Sequence, residues 1–199
     1  MQDSIWAATL NVFSSDLAGP QSSPAAGTAA AVSSRLAVSL LIKVLEIAKR
    51  RKSVAGDFTA LDVLLHAARI ESEVLAKAAD DDAVAFAEYL NGLRKKADGK
   101  TLDVAMLKAI EVPMTAARSS VRALALSREA VPLVPAFVAA DLGAAALLLS
   151  GAVRALLITV DYNLRQLTAE QLDLAAERVQ LEDQSRTLKD AIIRQLRLR

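Results

Sequence analysis

The longest apolar stretch of the chain covers residues 131–164, where only Asp141, Arg154 and Asp161 carry charge. A helix that is apolar on nearly every face usually forms the buried centre of a helical domain. Its uncharged part, residues 142–153, is shorter than the roughly 20 residues that a membrane span needs. The stretch therefore predicts a central core helix, with Asp141 near its start.

Helical spacing of apolar residues continues through most of the remaining chain. Proline, glycine and serine interrupt it at residues 19–28, and a polar connection interrupts it at residues 91–99. A proline at position 113 allows a break in one of the helices. The other predicted helices cover residues 1–18, 29–50, 60–79, 102–130 and 167–199, and Gly27 or Thr28 is the expected N-cap of the second. Pro132 and Pro135 mark a loop that leads into the central apolar helix.

The composition supports an all-α fold. Apolar residues make up 53% of the chain, yet aromatic residues make up only 4%, and strands favour aromatic and β-branched side chains. We expect a bundle of about five to seven helices with two apolar central ones, in a single domain of residues 1–199. Within it, residues 165–199 form a charged C-terminal helix packed on the rest through a narrow apolar stripe.

Charge and cysteine content exclude several classes of function. The net charge of +1 and the mixed signs along the chain argue against a nucleic-acid or membrane partner. With no cysteine and one histidine, a transition-metal site is not expected. His66 lies in a helix with apolar spacing, where a structural histidine is favoured over a catalytic triad member. We expect a cytoplasmic protein.

Three adjacent carboxylates, Asp80, Asp81 and Asp82, follow the third predicted helix. Successive helical residues are about 100° apart, so the three side chains cannot share one direction. One interpretation is a solvated acidic turn or cap. The other is that one carboxylate points inward against an apolar wall, where burial raises its pKa as a general acid or base requires. For Asp141, a stabilising position at a helix N-terminus and a functional role are both open.

Three stretches together resemble the cyclodeaminase domain of formiminotransferase-cyclodeaminase and its free-standing relatives, which include methenyltetrahydrofolate cyclohydrolases. The first covers residues 13–31, with a loop reading Pro-Ala-Ala-Gly-Thr at positions 24–28 where the family has Pro-Gly-Gly-Gly-Ser. The second is the Asp-Asp-Asp-Ala-Val-Ala-Phe segment at positions 80–86. The third joins the Val-Pro pair at 112–113 to the segment from position 140 through Arg154 to Asn163.

The resemblance implies a helical fold that dimerises and a tetrahydrofolate derivative as substrate, without a metal. The implied reaction is a ring-closing deamination or a methenyl hydrolysis. Asp82 would be the general acid or base, with Asp80 as the less favoured alternative, and Asp141 would orient the ligand or Asp82. Substrate contacts would come from Gly27, Thr28, Lys52, Arg154 and Asn163, with Lys52 or Arg154 facing the folate carboxylates.

The chain also departs from the family pattern. Ala25 and Ala26 replace two loop glycines, Ala140 replaces a serine, and Thr159 replaces an asparagine. A Cβ obstructs a close approach of a ligand to the backbone. A second hypothesis is therefore a folate-binding or scaffold dimer that has lost turnover.

Overall fold

The computed structural model describes residues 4–51, 58–167 and 172–197, and within these ranges the chain is helical and contains no strand. The all-α prediction is confirmed. The described residues form six α-helices and three short 3-10 turns, Ile5–Ala7, Val131–Leu133 and Ala136–Val138. The helices are α1 Leu10–Ala18, α2 Ala26–Arg50, α3 Phe58–Arg94, α4 Gly99–Ala130, α5 Ala139–Leu164 and α6 Leu172–Arg197.

Helices α2 to α5 form a four-helix bundle in which each packs against its neighbours in the order α2, α3, α4, α5 and back to α2. The apolar helices α2 and α5 meet in this bundle, as the sequence predicts for two central helices. Leu41 and Leu45 of α2 and Leu149 and Leu156 of α5 are almost completely buried. Burial of such side chains, at roughly 1.5–3 kcal/mol each, supplies the main stabilisation of the bundle.

In the part of the chain that the structure describes, two helices are long and apolar enough to cross a membrane, namely α2 and the segment Ala136–Leu164. The expectation that the second was too short is not met, because its few charged residues leave a sufficiently apolar window of 18 residues. Within these windows, 56% of the residues in α2 and 50% in the second segment are buried inside the bundle. The core helix of a soluble protein passes the same test, so this is weak evidence for a membrane location.

Helix α3 runs through all three adjacent aspartates without interruption, so of the two interpretations of this triplet the acidic turn or cap is wrong. Alanines on both sides of the aspartates explain the continuity: Ala78, Ala79, Ala83 and Ala85 are buried, and alanine is the strongest helix former. Helix α4 likewise continues through Pro113 without a break. The predicted N-cap of α2 is also displaced, since the helix begins at Ala26 and Ala25 is its N-cap.

The predicted first helix is divided into the turn Ile5–Ala7 and α1, with the Thr9 hydroxyl capping α1 by accepting a hydrogen bond from Val12 N (3.2 Å). Ile5, Trp6 and Phe13 pack against the core. Helical spacing in residues 1–18 predicts an apolar stripe of Ile5, Trp6, Leu10, Phe13 and Leu17. Of these, Leu10 and Leu17 are exposed, and α1 has no buried residue. The N-terminal segment is therefore attached mainly through its 3-10 turn.

Helix α6 packs on α4 and α5. Its buried residues are Leu181, Ser185 and Ile192. Near-heptad spacing places Leu172 and Val179 in the predicted apolar stripe of this helix, but both are exposed. Ion pairs explain the difference in phase: Arg178 binds Asp161 of α5 (2.8 Å) and the two carboxylate oxygens of Glu177 bind Arg118 of α4 (2.6 and 2.7 Å). These pairs turn a polar part of the helix toward the bundle.

Candidate active site

A small cavity of about 110 Å³ lies at the amino end of α2. The loop before α2 forms one wall, and residues of α3, α4 and α5 form the others. Its lining is mostly apolar or small, with one carboxylate. The lining residues are Ser22, Ser23, Ala25, Ala26, Gly27, Thr28, Asp82, Phe86, Ala109, Thr159 and Asn163.

Asp82 points from α3 into this cavity and contacts the first turn of α2. The Thr28 hydroxyl donates a hydrogen bond to Asp82 Oδ2 (2.8 Å). Burial raises the pKa of Asp82 above its ordinary value, and hydrogen bonding from Thr28 opposes that shift. A buried carboxyl with a raised pKa beside a cavity has the properties of a candidate general acid or base.

Gly27 is required by the close approach of the Asp82 carboxyl to the start of α2. A Cβ added at Gly27 would lie 2.8 Å from Asp82 Cγ, and real Cβ contacts essentially never fall below 3.0 Å. The reason for this glycine is therefore space for a side chain. The N-cap Ala25, in contrast, has φ −133°, which alanine adopts without strain.

The three adjacent aspartates of α3 have three different environments. Asp80 accepts hydrogen bonds from the Ser4 hydroxyl and the Ile5 backbone N–H, both at 2.8 Å. Asp81 pairs with Lys77 one turn earlier on the exposed surface. Only Asp82 faces the cavity, as the second sequence interpretation predicts for one of the three, because residues about 100° apart must face different surroundings. Asp80 anchors the N-terminal turn and does not line the cavity.

Asn163, near the carboxyl end of α5, is buried and lines the cavity. Its Nδ2 donates a hydrogen bond of 2.9 Å to the backbone carbonyl of Ala109 in α4. The side chain therefore connects two helices and has a defined orientation at the site.

The family model described as formiminotransferase-cyclodeaminase matches residues 9–180 of this chain. The chain belongs to the formiminotransferase-cyclodeaminase family. Its fold is similar to the crystal structure of formiminotetrahydrofolate cyclodeaminase from Thermotoga maritima, with a TM-score of 0.84 and 17% sequence identity over 95% of this chain and 93% of that one. No curated protein sequence matches the chain. The family resemblance read from the sequence is confirmed.

Within one chain of this formiminotransferase-cyclodeaminase family member, Asp141 does not lie near Asp82. Asp141 is in the first turn of α5 and pairs with Lys43 of α2 (2.7 Å), whereas Asn163 at the other end of the same helix lines the cavity. At 1.5 Å per residue, the two ends are about 33 Å apart. The expected convergence of Asp82 and Asp141 is therefore not found within a single chain.

Arg154 also lies away from the cavity. Its side chain is 72% exposed and its Nε is 3.8 Å from Glu182 of α6. It lines a separate, polar depression with Ser150, Arg186 and Lys189. Lys52, the other residue expected to face the folate carboxylates, falls outside the described residues. Arg154 therefore cannot reach a ligand bound in the cavity of its own chain.

Two further outcomes concern residue types. His66 is exposed on α3 and lies outside the cavity lining, so the structural histidine that the sequence favours over a triad member is not a buried one. Among the described residues, no group of three or more His, Asp or Glu side chains could hold a metal ion.

The site residues that sequence reasoning missed are Ser22, Ser23 and Ala109. The Oγ of Ser23 is buried beside the cavity without a hydrogen-bond partner.

Proposed function

We propose that the cavity binds the reacting one-carbon group of a tetrahydrofolate derivative, and that Asp82 is the general acid or base of a cyclodeaminase or cyclohydrolase reaction. The observation that carries the proposal is the buried carboxyl with a raised pKa, held against Gly27 and Thr28 in a member of this family. The proposed site residues are Asp82, Gly27, Thr28 and Asn163.

In both reactions, a one-carbon unit between two nitrogens is attacked by a nucleophile, and the protein needs to supply only proton transfers. In the deamination, N10 of the folate attacks the formimino carbon, and the former imino nitrogen leaves as ammonia after it gains a proton. In the hydrolysis, water attacks the methenyl carbon and loses a proton before one C–N bond breaks. A carboxyl that gives or takes one proton is suited to either step. Asp82 would hold this proton, and the Thr28 hydroxyl would keep the carboxyl in place.

The size of the cavity supports a dimer in the same proposal. About 110 Å³ holds a one-carbon group but is well below the roughly 300–1,000 Å³ of pockets that enclose whole ligands. Helix α5 also presents an exposed apolar stripe that ends beside the cavity, formed by Leu147, Leu148, Ile158 and Tyr162. A second copy covering this stripe would extend the walls of the site. In such a dimer, Asp141 and Arg154 of one copy could act only on a ligand bound in the cavity of the other copy.

A soluble, cytoplasmic location is part of the same proposal. The apolar helices α2 and α5 face each other and the rest of the bundle, so their composition is explained by a shared core.

The test compares two neighbouring carboxylates of α3. Loss of the near-ultraviolet absorbance of methenyltetrahydrofolate is followed with the wild type, Asp82→Asn and the matched control Asp81→Asn. We expect Asp82→Asn to lower the rate by at least ~10²-fold, and Asp81→Asn to leave it unchanged because Asp81 pairs with Lys77 at the surface. Equal rates for all three proteins would refute the role of Asp82. Formation of methenyltetrahydrofolate from the formimino compound is measured in the same way.

One observation favours a second function, binding without turnover. The methyl groups of Ala25 and Ala26 line the cavity at positions where the family has glycine, and they reduce its volume. Calorimetric titration with tetrahydrofolate and its 5-formyl derivative separates the alternatives. Micromolar binding without turnover would indicate a carrier or sensor, whereas the absence of binding would leave a scaffold.

A further inference from the structure

Helix α4 contains a buried proline, Pro113, in the middle of its length. In an α-helix each carbonyl accepts a hydrogen bond from the N–H four residues later. Proline has no N–H, and its ring also pushes away the carbonyl four residues earlier. The carbonyl affected here is that of Ala109, which lines the cavity. A buried carbonyl without a donor is unfavourable, so a replacement donor is needed.

Asn163 of α5 supplies that donor. Its Nδ2 lies 2.9 Å from the Ala109 carbonyl oxygen, and Asn163 itself is buried. The bond joins two residues that both line the cavity. Because the amide group is planar, fixing Nδ2 on the carbonyl also fixes the direction of Oδ1.

We propose that Pro113 is a positioning residue of the site: by removing the helical donor of the Ala109 carbonyl, it holds the Asn163 amide so that Oδ1 accepts a hydrogen bond from an N–H group of the ligand. This inference rests on the proposed function for the identity of the ligand. Pro113 itself touches no ligand. The ligand chemistry that fits is an amino or amidine nitrogen placed between Asn163 Oδ1 and the Asp82 carboxyl.

The first experiment restores the missing donor with Pro113→Ala. The new N–H at position 113 would bond to the Ala109 carbonyl within the helix and would compete with Asn163 Nδ2 for that oxygen, which weakens the Asn163 hydrogen bond. We expect the side-chain amide protons of Asn163, followed by 15N NMR, to exchange faster with water than in the wild type. The melting temperature should not fall, since alanine is more favourable than proline inside a helix. Pro132→Ala, in the exposed turn after α4, is the matched control and should change neither measurement.

The second experiment is a double-mutant cycle on kcat/KM with methenyltetrahydrofolate. Pro113→Ala should lower kcat/KM about tenfold, the loss expected for one hydrogen bond. Adding Pro113→Ala to Asn163→Ala should cause no further loss, because Pro113 acts only through Asn163. Independent, additive losses would overturn the inference, as would wild-type kcat/KM in Pro113→Ala.

The two readouts distinguish the failure of this inference from the failure of the proposed function. A wild-type protein without turnover would refute the proposed reaction, and the exchange of the Asn163 amide would still test its positioning by Pro113. Unchanged amide exchange in Pro113→Ala overturns the inference whatever the activity. Faster exchange in Pro113→Ala together with unchanged exchange in Pro132→Ala supports it.

Discussion

The substitution Gly27→Ala tests the central contact of the site with a single methyl group. Gly27 lies in the first turn of α2, directly beside the carboxyl of Asp82. The variant keeps every charged and hydrogen-bonding side chain of the cavity. Any effect on turnover therefore comes from the position of Asp82.

The expected displacement follows from the distance between the added methyl group and the carboxyl. The new Cβ would lie 2.8 Å from Asp82 Cγ, and ordinary van der Waals contact begins near 3.4 Å, so the carboxyl must move by about 0.6 Å or more. Such a shift lengthens the 2.8 Å hydrogen bond from the Thr28 hydroxyl beyond its normal range. A misplacement of about 1 Å can cost ~10²-fold in rate. We expect a loss of turnover of this order.

The assay is the rate of methenyltetrahydrofolate hydrolysis or formation, read from its near-ultraviolet absorbance. Gly99→Ala is the matched control, because Gly99 starts helix α4 and an added Cβ there meets nothing within 4 Å. The control should retain wild-type turnover and a cooperative thermal transition. If Gly27→Ala folds and turns over at the wild-type rate, the position of Asp82 is not important for catalysis and the reasoning fails.

Three further predictions concern pH, stability and assembly. Because burial raises the pKa of Asp82, the folded state binds its proton more tightly than the unfolded state does. The free energy of unfolding therefore falls as pH rises above the ordinary pKa of the carboxyl, about 3.9. In urea titrations, Asp82→Asn should be more stable than the wild type at pH 7, and the difference should disappear near pH 4. Glu71→Ala should lower the free energy of unfolding by about 2 kcal/mol in a urea titration, because buried Glu71 accepts hydrogen bonds from Arg122 (2.7 Å) and Ser119 (2.6 Å); an unchanged midpoint would contradict this. Leu148→Glu should convert the proposed dimer to monomers in analytical ultracentrifugation, and a dimer that persists would exclude α5 as the interface.

The sequence predicts the fold well because its main determinants are local. Helical spacing, alanine content and the position of the central apolar run all depend on nearby residues, and they indicate the bundle correctly. The continuity of α3 could not be foreseen, since a run of three aspartates suggests a turn unless the helix around it is packed. Buried alanines on either side, Ala79 and Ala83, provide that packing.

The residues of the candidate site can be predicted only where they lie within or beside a recognisable sequence motif. The inward direction of one aspartate follows from helical geometry, but the choice of Asp82 came from the family resemblance. The separation of Asp141 from the cavity depends on the length of α5, and residues at the two ends of one helix cannot meet in one chain. The Ala109 carbonyl accepts a hydrogen bond from Asn163, and Pro113, four residues later, leaves that carbonyl without a helical donor. This proline is visible in the sequence.

The acidic triplet of α3 also determines how the cavity wall is attached to the protein. Asp80 binds the turn at residues 4–5, and Asp82 binds Thr28 at the start of α2. The segment between these two contacts, residues 6–27, is thus attached at both ends to α3, at aspartates only two positions apart. Helix α1, which lies within this segment, contributes no buried side chain. Asp80 and Asp82 therefore attach both ends of the segment that forms one wall of the cavity, and a change at either aspartate would act on that wall.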